Sequence, residues 1–178
     1  MSELSSQFLL LLTKWNRTHR LVGAPEQIRE HWDDALTASP HLEAVDTLVD
    51  IGSGAGFPSI PLACEHPNIQ VTAVEPNHKK WSFLQAAKRE LKLDNFEALA
   101  IREEALPTPH QFDAATSRAT FNLTTWLERG LRLVRPGGIV IGFEGGARTE
   151  LPRGVQRFPN PGQTSRAVVV LRKPKPGL

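Results

Sequence analysis

The stretch Leu48-Val49-Asp50-Ile51-Gly52-Ser53-Gly54-Ala55-Gly56-Phe57 constrains this chain more than any other. An apolar run, 45–51, enters three glycines on alternate positions, and 58–65 then reads as a helix with Pro58 acceptable in its first turn. Glycine lets such a turn adopt positive φ and lets a ligand approach the backbone without meeting a Cβ atom. A strand, a tight turn and a helix in that order lead into a parallel sheet. On this evidence alone the turn is either a ligand cradle or a plain strand-to-helix connection.

The alternation continues along the chain. Residues 69–74 read as a β-branched strand, and 79–91 as a helix burying Phe83, Leu84, Ala87 and Leu91. Residues 96–100 form a weak strand candidate and 112–117 a stronger one. A helix over 123–133 is expected to end at Pro136-Gly137-Gly138, with a strand over 139–143. The tail holds Gly145-Gly146, five prolines and a last β-rich run, 167–171. Ahead of the sheet, Leu4, Phe8, Leu11, Leu12 and Trp15 mark one face of a helix. Gly23-Ala24-Pro25 breaks the chain, and a second helix is expected over 26–38. The expected fold class is α/β: a doubly wound, mostly parallel, Rossmann-like sheet. One domain spans 1–178, with a helical extension at 1–40 and the cofactor-binding core at 45–178.

Bulk properties exclude several classes. The 178 residues are 40% apolar and 22% charged, as in ordinary soluble domains. No apolar run approaches the roughly 20 residues that cross a bilayer. Leu9 to Leu12 precede rather than follow the basic Lys14, Arg17 and Arg20, the reverse of a secretory signal. The lone Cys64 allows no intrachain disulfide or multi-cysteine metal site and reads as an inert thiol on a core-facing helix. A cytoplasmic, monomeric protein without metal is expected. Net charge is +2 and the pI is near 8.9, a balance compatible with nucleic acid without implying it. Basic residues cluster near Lys14–Arg20, Lys79–Lys92 and Arg166–Lys175. They would attract a phosphate backbone if they shared one side of the fold.

The glycine rhythm bears on the ligand. A dinucleotide loop reads G-x-G-x-x-G, and its third glycine supports a pyrophosphate at the helix N-terminus. Here the third glycine comes one residue early and Phe57 stands in its place. Asp50 would repel a diphosphate but suits a cofactor carrying an amino or sulfonium cation. That favours S-adenosylmethionine over a nicotinamide. Gly52, Ser53, Gly54 and Gly56 complete the cradle. Glu75, 25 residues after Asp50, ends the second strand where a carboxylate accepts from both ribose hydroxyls. Glu103 and Glu104, just beyond the third strand, either border the adenine or are exposed charges at a helix start. Pro136-Gly137-Gly138 before a late strand is a turn that recurs in methyltransferases of this architecture.

Further motifs make the chain similar to a recognisable family. They are Lys14-Trp15-Asn16 with Leu21, and His31-Trp32-Asp33-Asp34-Ala35-Leu36. The run from Asp50 to Leu62 is the most specific, followed by Phe83-Leu84 and Arg102 with Glu104. Ser117-Arg118-Ala119 and Arg166-Ala167-Val168-Val169-Val170 complete the set. Over nearly its whole length the chain resembles the bacterial 16S rRNA guanine-N7 methyltransferases (RsmG/GidB). The resemblance implies methyl transfer to N7 of a guanine in the decoding-region loop, with 16S rRNA or the small ribosomal subunit as partner. It implies that Gly52 and Phe57 contact the cofactor and that Glu103 and Glu104 edge the adenine. Arg118 is then the catalytic candidate at the mouth of the site, near both cofactor and base, where it hydrogen-bonds O6 or a flanking phosphate. An ion pair with a neighbouring carboxylate is its alternative role. His31 and Asp34 share a helical face; a capping or inter-helix hydrogen bond is the expected use. Trp15 is expected in the core rather than as a stacking platform for bases.

Three departures from the family pattern stand out. Part of a helix before Leu4 is expected to be missing relative to longer relatives. Glu75-Pro76-Asn77-His78 replaces a common Asp-Ser and glycine. Phe143-Glu144-Gly145-Gly146 replaces Leu-Lys-Gly, so Glu144 reverses a charge beside the nucleic-acid entrance, with repulsion as the expected result. The competing functions are a methyltransferase of this fold acting on another RNA or a small molecule, a non-catalytic RNA- or cofactor-binding module, and, more distantly, a nicotinamide dehydrogenase.

Overall fold

A computed structural model describes every residue except Met1, Ala24, 107–110, Ala147, Pro176 and Leu178, and omits the side chains of Pro25, Gln163 and Thr164. The opening periodicity forms α1 (Glu3–His19). Its first turn is capped by Ser2, whose hydroxyl accepts from the Ser5 amide at 3.2 Å. The second helix is shorter than its pattern. A 3-10 turn over Pro25–Gln27 leads into α2 (Ile28–Leu36), and another over Ser39–His41 follows. Pro40 fits the early end: it has no N–H to donate to the carbonyl four residues back, that of Leu36, and its ring crowds that carbonyl. Ala24, in the expected break, lies outside the described residues.

Seven strands form one sheet in the order β3-β2-β1-β4-β5-β7-β6. They are β1 (Thr47–Ile51), β2 (Gln70–Val74), β3 (Phe96–Leu99), β4 (Phe112–Ser117), β5 (Val134–Gly145), β6 (Val155–Asn160) and β7 (Gln163–Arg172). Helices α3 (Ser59–Glu65), α4 (His78–Leu91) and α5 (Leu123–Leu133) connect the parallel ones. Pairing is parallel from β3 through β5, and β7 runs antiparallel to both β5 and β6. Helices α1 to α4 pack on one face and α5 on the other. The strand order reverses between β1 and β4, and the crevice at their carboxyl ends is where ligands bind in such sheets.

Two elements differ from the sequence expectation. β6 was not foreseen, because Val155–Asn160 contains Pro159, and proline within a strand points away from one. It is tolerated here since β6 lies at the edge of the sheet. β5 begins at Val134, directly after α5, so Pro136-Gly137-Gly138 lies inside the strand instead of before it. Val134 pairs with Phe112 and Ile139 with Ala114, a register shift that accommodates those residues as a bulge. Gly138 is needed there: a Cβ would stand 2.8 Å from the Asp113 carbonyl oxygen.

The helical extension belongs to the same core as the sheet. Phe8 of α1 packs on Trp32 of α2, Phe57 of the glycine loop and Phe83 of α4, with ring centroids 5.5, 5.4 and 6.0 Å away. Truncating so central a ring costs about 3–5 kcal/mol. Trp15 is half-buried with its ring edge-on to Phe83 at 5.6 Å, a packing position as expected. Among the described residues, no helix is long and apolar enough to cross a membrane.

Candidate active site

The glycine turn after β1 uses its own amides. Gly52 and Ser53 donate to the Val74 carbonyl at 2.8 and 3.2 Å, and Gly56 donates to the Ser53 carbonyl at 2.8 Å. The Gly54 amide donates to Glu75 Oε2 at 2.8 Å. A pyrophosphate cradle needs such N–H groups free and pointing at the anion. Here these four amides are occupied, that of Gly54 by a carboxylate. This is a physical reason, beyond glycine spacing, why the loop does not suit a dinucleotide.

The three glycines are used differently. All have positive φ: 71° at Gly52, 59° at Gly54 and 91° at Gly56. A Cβ on Gly52 would lie 2.2 Å from Thr120 Oγ1, and one on Gly56 would lie 2.7 Å from Ile60 Cγ1. Those two glycines make room for protein side chains. Only Gly54 opens to space, with the Gly52 carbonyl oxygen its nearest atom at 3.7 Å.

Above the turn lies a cavity of about 620 Å³, within the range of cofactor sites. Gly52, Ser53, Gly54, Phe57, Glu75, Glu103, Glu104 and Arg118 all line it. Asp50 and Gly56 are not on its wall. Gly56 turns toward Ile60 and Leu84. Asp50 is fully buried beneath the loop, where its Oδ1 accepts from Thr116 Oγ1 at 3.1 Å and its Oδ2 finds no hydrogen-bond partner among the described residues. Burial pushes its carboxyl up to about 6, against the lowering influence of the Ser53, Ser59 and Thr116 hydroxyls and the Arg118 charge. Asp50, expected to face a cationic cofactor group, thus lies buried under the turn and off the cavity wall.

Glu75 is buried with both oxygens engaged once, by the Gly54 amide and by the Asn77 amide at 2.8 Å. Each oxygen retains a lone pair for a hydroxyl. Glu103 and Glu104 fall on a 3-10 turn, Glu103–Ala105, and both are held by Arg129 of α5, at 2.9 and 2.7 Å. Glu104 is exposed (67%) and Glu103 is not (11%). The Arg129 guanidinium also lies over the Phe121 ring at 4.7 Å.

A second cavity, of about 1000 Å³, adjoins the first. His31, Arg118, Ala119 and Phe121 line both. Arg118 sits on the turn after β4, 18% exposed, with Nη1 donating to Asp34 Oδ2 at 3.2 Å. Its guanidinium carbon is 5.2 Å from the centroid of the Phe57 ring. It therefore lines both cavities and makes an ion pair with a neighbouring carboxylate at once. Burial lowers the affinity of Arg118 for its proton, and Asp34 counters this. His31 packs edge-on against Phe57 at 5.6 Å, and its buried Nδ1 has no hydrogen-bond partner, capping or otherwise, among the described residues. Burial, then the Arg118 charge, hold His31 below its ordinary value.

Glu144 lines the second cavity too, but its charge is not free. Arg157 of β6 grips it through Nε at 2.8 Å and Nη2 at 2.9 Å, and the Thr149 amide donates to it at 2.7 Å. The expected repulsion of a polyanion is thus offset within the protein. Members of the basic clusters have different surroundings. Lys80 and Arg166 border the cavities, whereas Lys173 donates to the Leu131 and Val134 carbonyls. Arg166 and Arg172 are separated by six residue steps along β7, roughly 20 Å at strand rise.

Sequence reasoning missed Thr120, Phe121 and Arg129. Phe121 follows the Ser-Arg-Ala turn directly, so its place after a parallel strand was the available signal. Nothing local marks Arg129, whose role depends on how α5 packs.

A doubly wound sheet ending in an antiparallel β7, with a carboxylate-edged cavity at its switch point, defines a class I S-adenosylmethionine-dependent methyltransferase. Solved structures share the fold. The S-adenosylmethionine-dependent methyltransferase SibL gives a TM-score of 0.65 at 18% identity over 97% of this chain and 70% of that one. A mutant of MtNAS in complex with S-adenosylmethionine gives a TM-score of 0.61 at 16% identity over 96% and 75%. Residues 1–156 match the family GidB, rRNA small subunit methyltransferase G. Ribosomal RNA small subunit methyltransferase G of Neisseria meningitidis is 38% identical over 92% of this chain and 84% of its own length. Its counterpart in Aromatoleum aromaticum is 41% identical over 78% and 69%. With several other relatives the match spans 66% of the relative's length. The chain belongs to the rRNA small subunit methyltransferase G family.

Proposed function

We propose that the chain transfers a methyl group from S-adenosylmethionine to N7 of a guanine in 16S rRNA, with the cofactor in the smaller cavity and the base in the larger. The observation that carries this reading is the wall shared by the two cavities, where Arg118 faces both. Bound there, S-adenosylmethionine supplies a methyl carbon made electrophilic by its sulfonium.

The residues then divide the work. Gly54 leaves space for the ligand, while Gly52, Ser53 and Phe57 shape the wall around it. Glu75 takes the ribose hydroxyls on its remaining lone pairs. Glu103 and Glu104, steadied by Arg129, edge the adenine. Asp50 adds negative charge beneath the turn, and Gly56 supports the turn from outside the cavity.

Guanine N7 carries an in-plane lone pair, so no proton must leave before attack and neither a general base nor a metal is required. The protein's task is alignment, which supplies roughly 7–11 kcal/mol in well-oriented reactions. Positive charge grows on the purine during transfer, so Arg118 serves by donating to O6 or to a flanking phosphate rather than by touching N7. Arg166 at the rim adds attraction for the RNA backbone.

A methyl-transfer assay on stripped small ribosomal subunits, analysed for N7-methylguanosine, tests this. Arg118→Ala should lower turnover far more than cofactor affinity. Turnover on a metabolite without modified guanine would replace the substrate, and cofactor affinity without any turnover would leave a binding module.

A further inference from the structure

The geometry points to Asp34 as a positioning residue for methyl transfer, acting through Arg118. This inference rests on the function proposed above. Asp34 comes from α2 in the helical extension, yet its carboxylate reaches the turn after β4, 84 residues away. Its two oxygens serve different partners. Oδ2 accepts from Arg118 Nη1 at 3.2 Å. Oδ1 accepts from Asn160 Nδ2 at 2.8 Å, and Asn160 sits at the end of β6 where the chain turns back into β7. The carboxylate is therefore itself oriented before it orients anything else.

An arginine has a long, flexible stem, and its guanidinium is useful at an active site only when held. Arg118 is held between two features, the Phe57 ring and Asp34. Asp34 engages a single terminal nitrogen, whereas a guanidinium has five N–H donors. The contact fixes direction and leaves donors over for the acceptor. A two-point clamp of the kind Arg157 makes on Glu144 would take up more of them. Asp34 also compensates a charge that is largely out of water, with side-chain exposures of 18% for Arg118 and 11% for Asp34. Without it, the guanidinium would turn toward solvent and leave the shared wall.

A structural clasp between α2 and the β6–β7 turn would use the same contacts, so the test must separate the two roles. Asp34→Ala and the isosteric Asp34→Asn are made in the unaltered protein and in Arg118→Ala, and the folded fraction is checked by thermal melting. With small ribosomal subunits, Asp34→Ala should lower kcat by about ten- to a hundredfold. KM for S-adenosylmethionine should move by less than about threefold. Asp34→Asn, which keeps an acceptor, should recover part of the loss. In the Arg118→Ala background neither substitution should lower kcat further. The second readout needs no activity: the heteronuclear NOE of the Arg118 Nε–Hε group in the free protein should fall in Asp34→Ala. Equal kcat losses in both backgrounds, unchanged kcat, or an Arg118 signal as rigid as in the unaltered protein overturns the inference. Should the unaltered protein leave small subunits unmethylated, the proposed function fails, and the NOE alone decides the role of Asp34.

Discussion

Gly52→Ala tests the account of the glycine turn most directly. Two penalties follow from the structure. The residue has φ of 71°, and an L side chain in that region costs about 1 kcal/mol. The new Cβ would also stand 2.2 Å from Thr120 Oγ1, 2.8 Å from Cγ2 and 3.0 Å from Cβ, so Thr120 must move. Forcing a methyl group into such a contact costs about 2 kcal/mol. The sum, about 3 kcal/mol, lowers the melting temperature by roughly 6–12 °C for a domain of this size. Urea unfolding followed by circular dichroism measures it. Thr120→Gly removes all three clashing atoms but leaves φ untouched. In that background Gly52→Ala should therefore cost only the backbone share, about 1 kcal/mol. If the cost is the same in both backgrounds, the steric argument is wrong.

Other outcomes follow from neighbouring contacts. Gly54→Ala meets no protein atom closer than 3.7 Å, so it should cost only about 1 kcal/mol in stability while sharply weakening S-adenosylhomocysteine binding by calorimetry. Arg157→Ala leaves the buried Glu144 carboxylate without its counter-ion and should destabilise by about 3 kcal/mol, most of it restored by Glu144→Gln. Glu144 is held below the usual carboxylate range by the Arg157 and Thr149 contacts, which outweigh its burial. Its ion pair thus stabilises above the unfolded pKa and fades as pH falls through the lower folded value, so the Arg157→Ala deficit should shrink in acid. Asp50 has the opposite sign. Its folded pKa is raised to about 6, so folding favours the protonated form and the group destabilises as pH rises from about 4 to 6. Asp50→Asn should gain up to about 3 kcal/mol relative to the unaltered protein at pH 8 and little at pH 4. A gain independent of pH would remove burial as the cause.

What the sequence made legible was local. The glycine turn, its flanking strand and the carboxylate ending β2 depend on spacing within one βαβ unit, and the pattern of 45–75 carried them. α5 was readable to the residue because its apolar stripe and Asn122 cap are both encoded within one short stretch. What stayed hidden depended on distance or on context. β6 is a strand only because the sheet edge tolerates Pro159. Asp50 looked like a ligand contact because sequence gives its sign of charge but not which side of the turn it faces. Glu144 looked repulsive because Arg157 reaches it across β7, where Glu144 is registered with Ala167. The Asp34–Arg118 pair joins segments that no periodicity connects.

The amides of the turn have a metabolic corollary. With the N–H groups of Gly52, Ser53, Gly54 and Gly56 already committed inside the fold, a nucleotide phosphate finds no donor among these four amides. The glycine turn thus gives no backbone foothold to the phosphates of the most plentiful adenosine compounds of a cell. The demethylated by-product, which differs from the donor by one carbon and one charge, carries no phosphate and loses nothing by this. Inhibition by that by-product is therefore expected to exceed inhibition by the energy-carrying nucleotides.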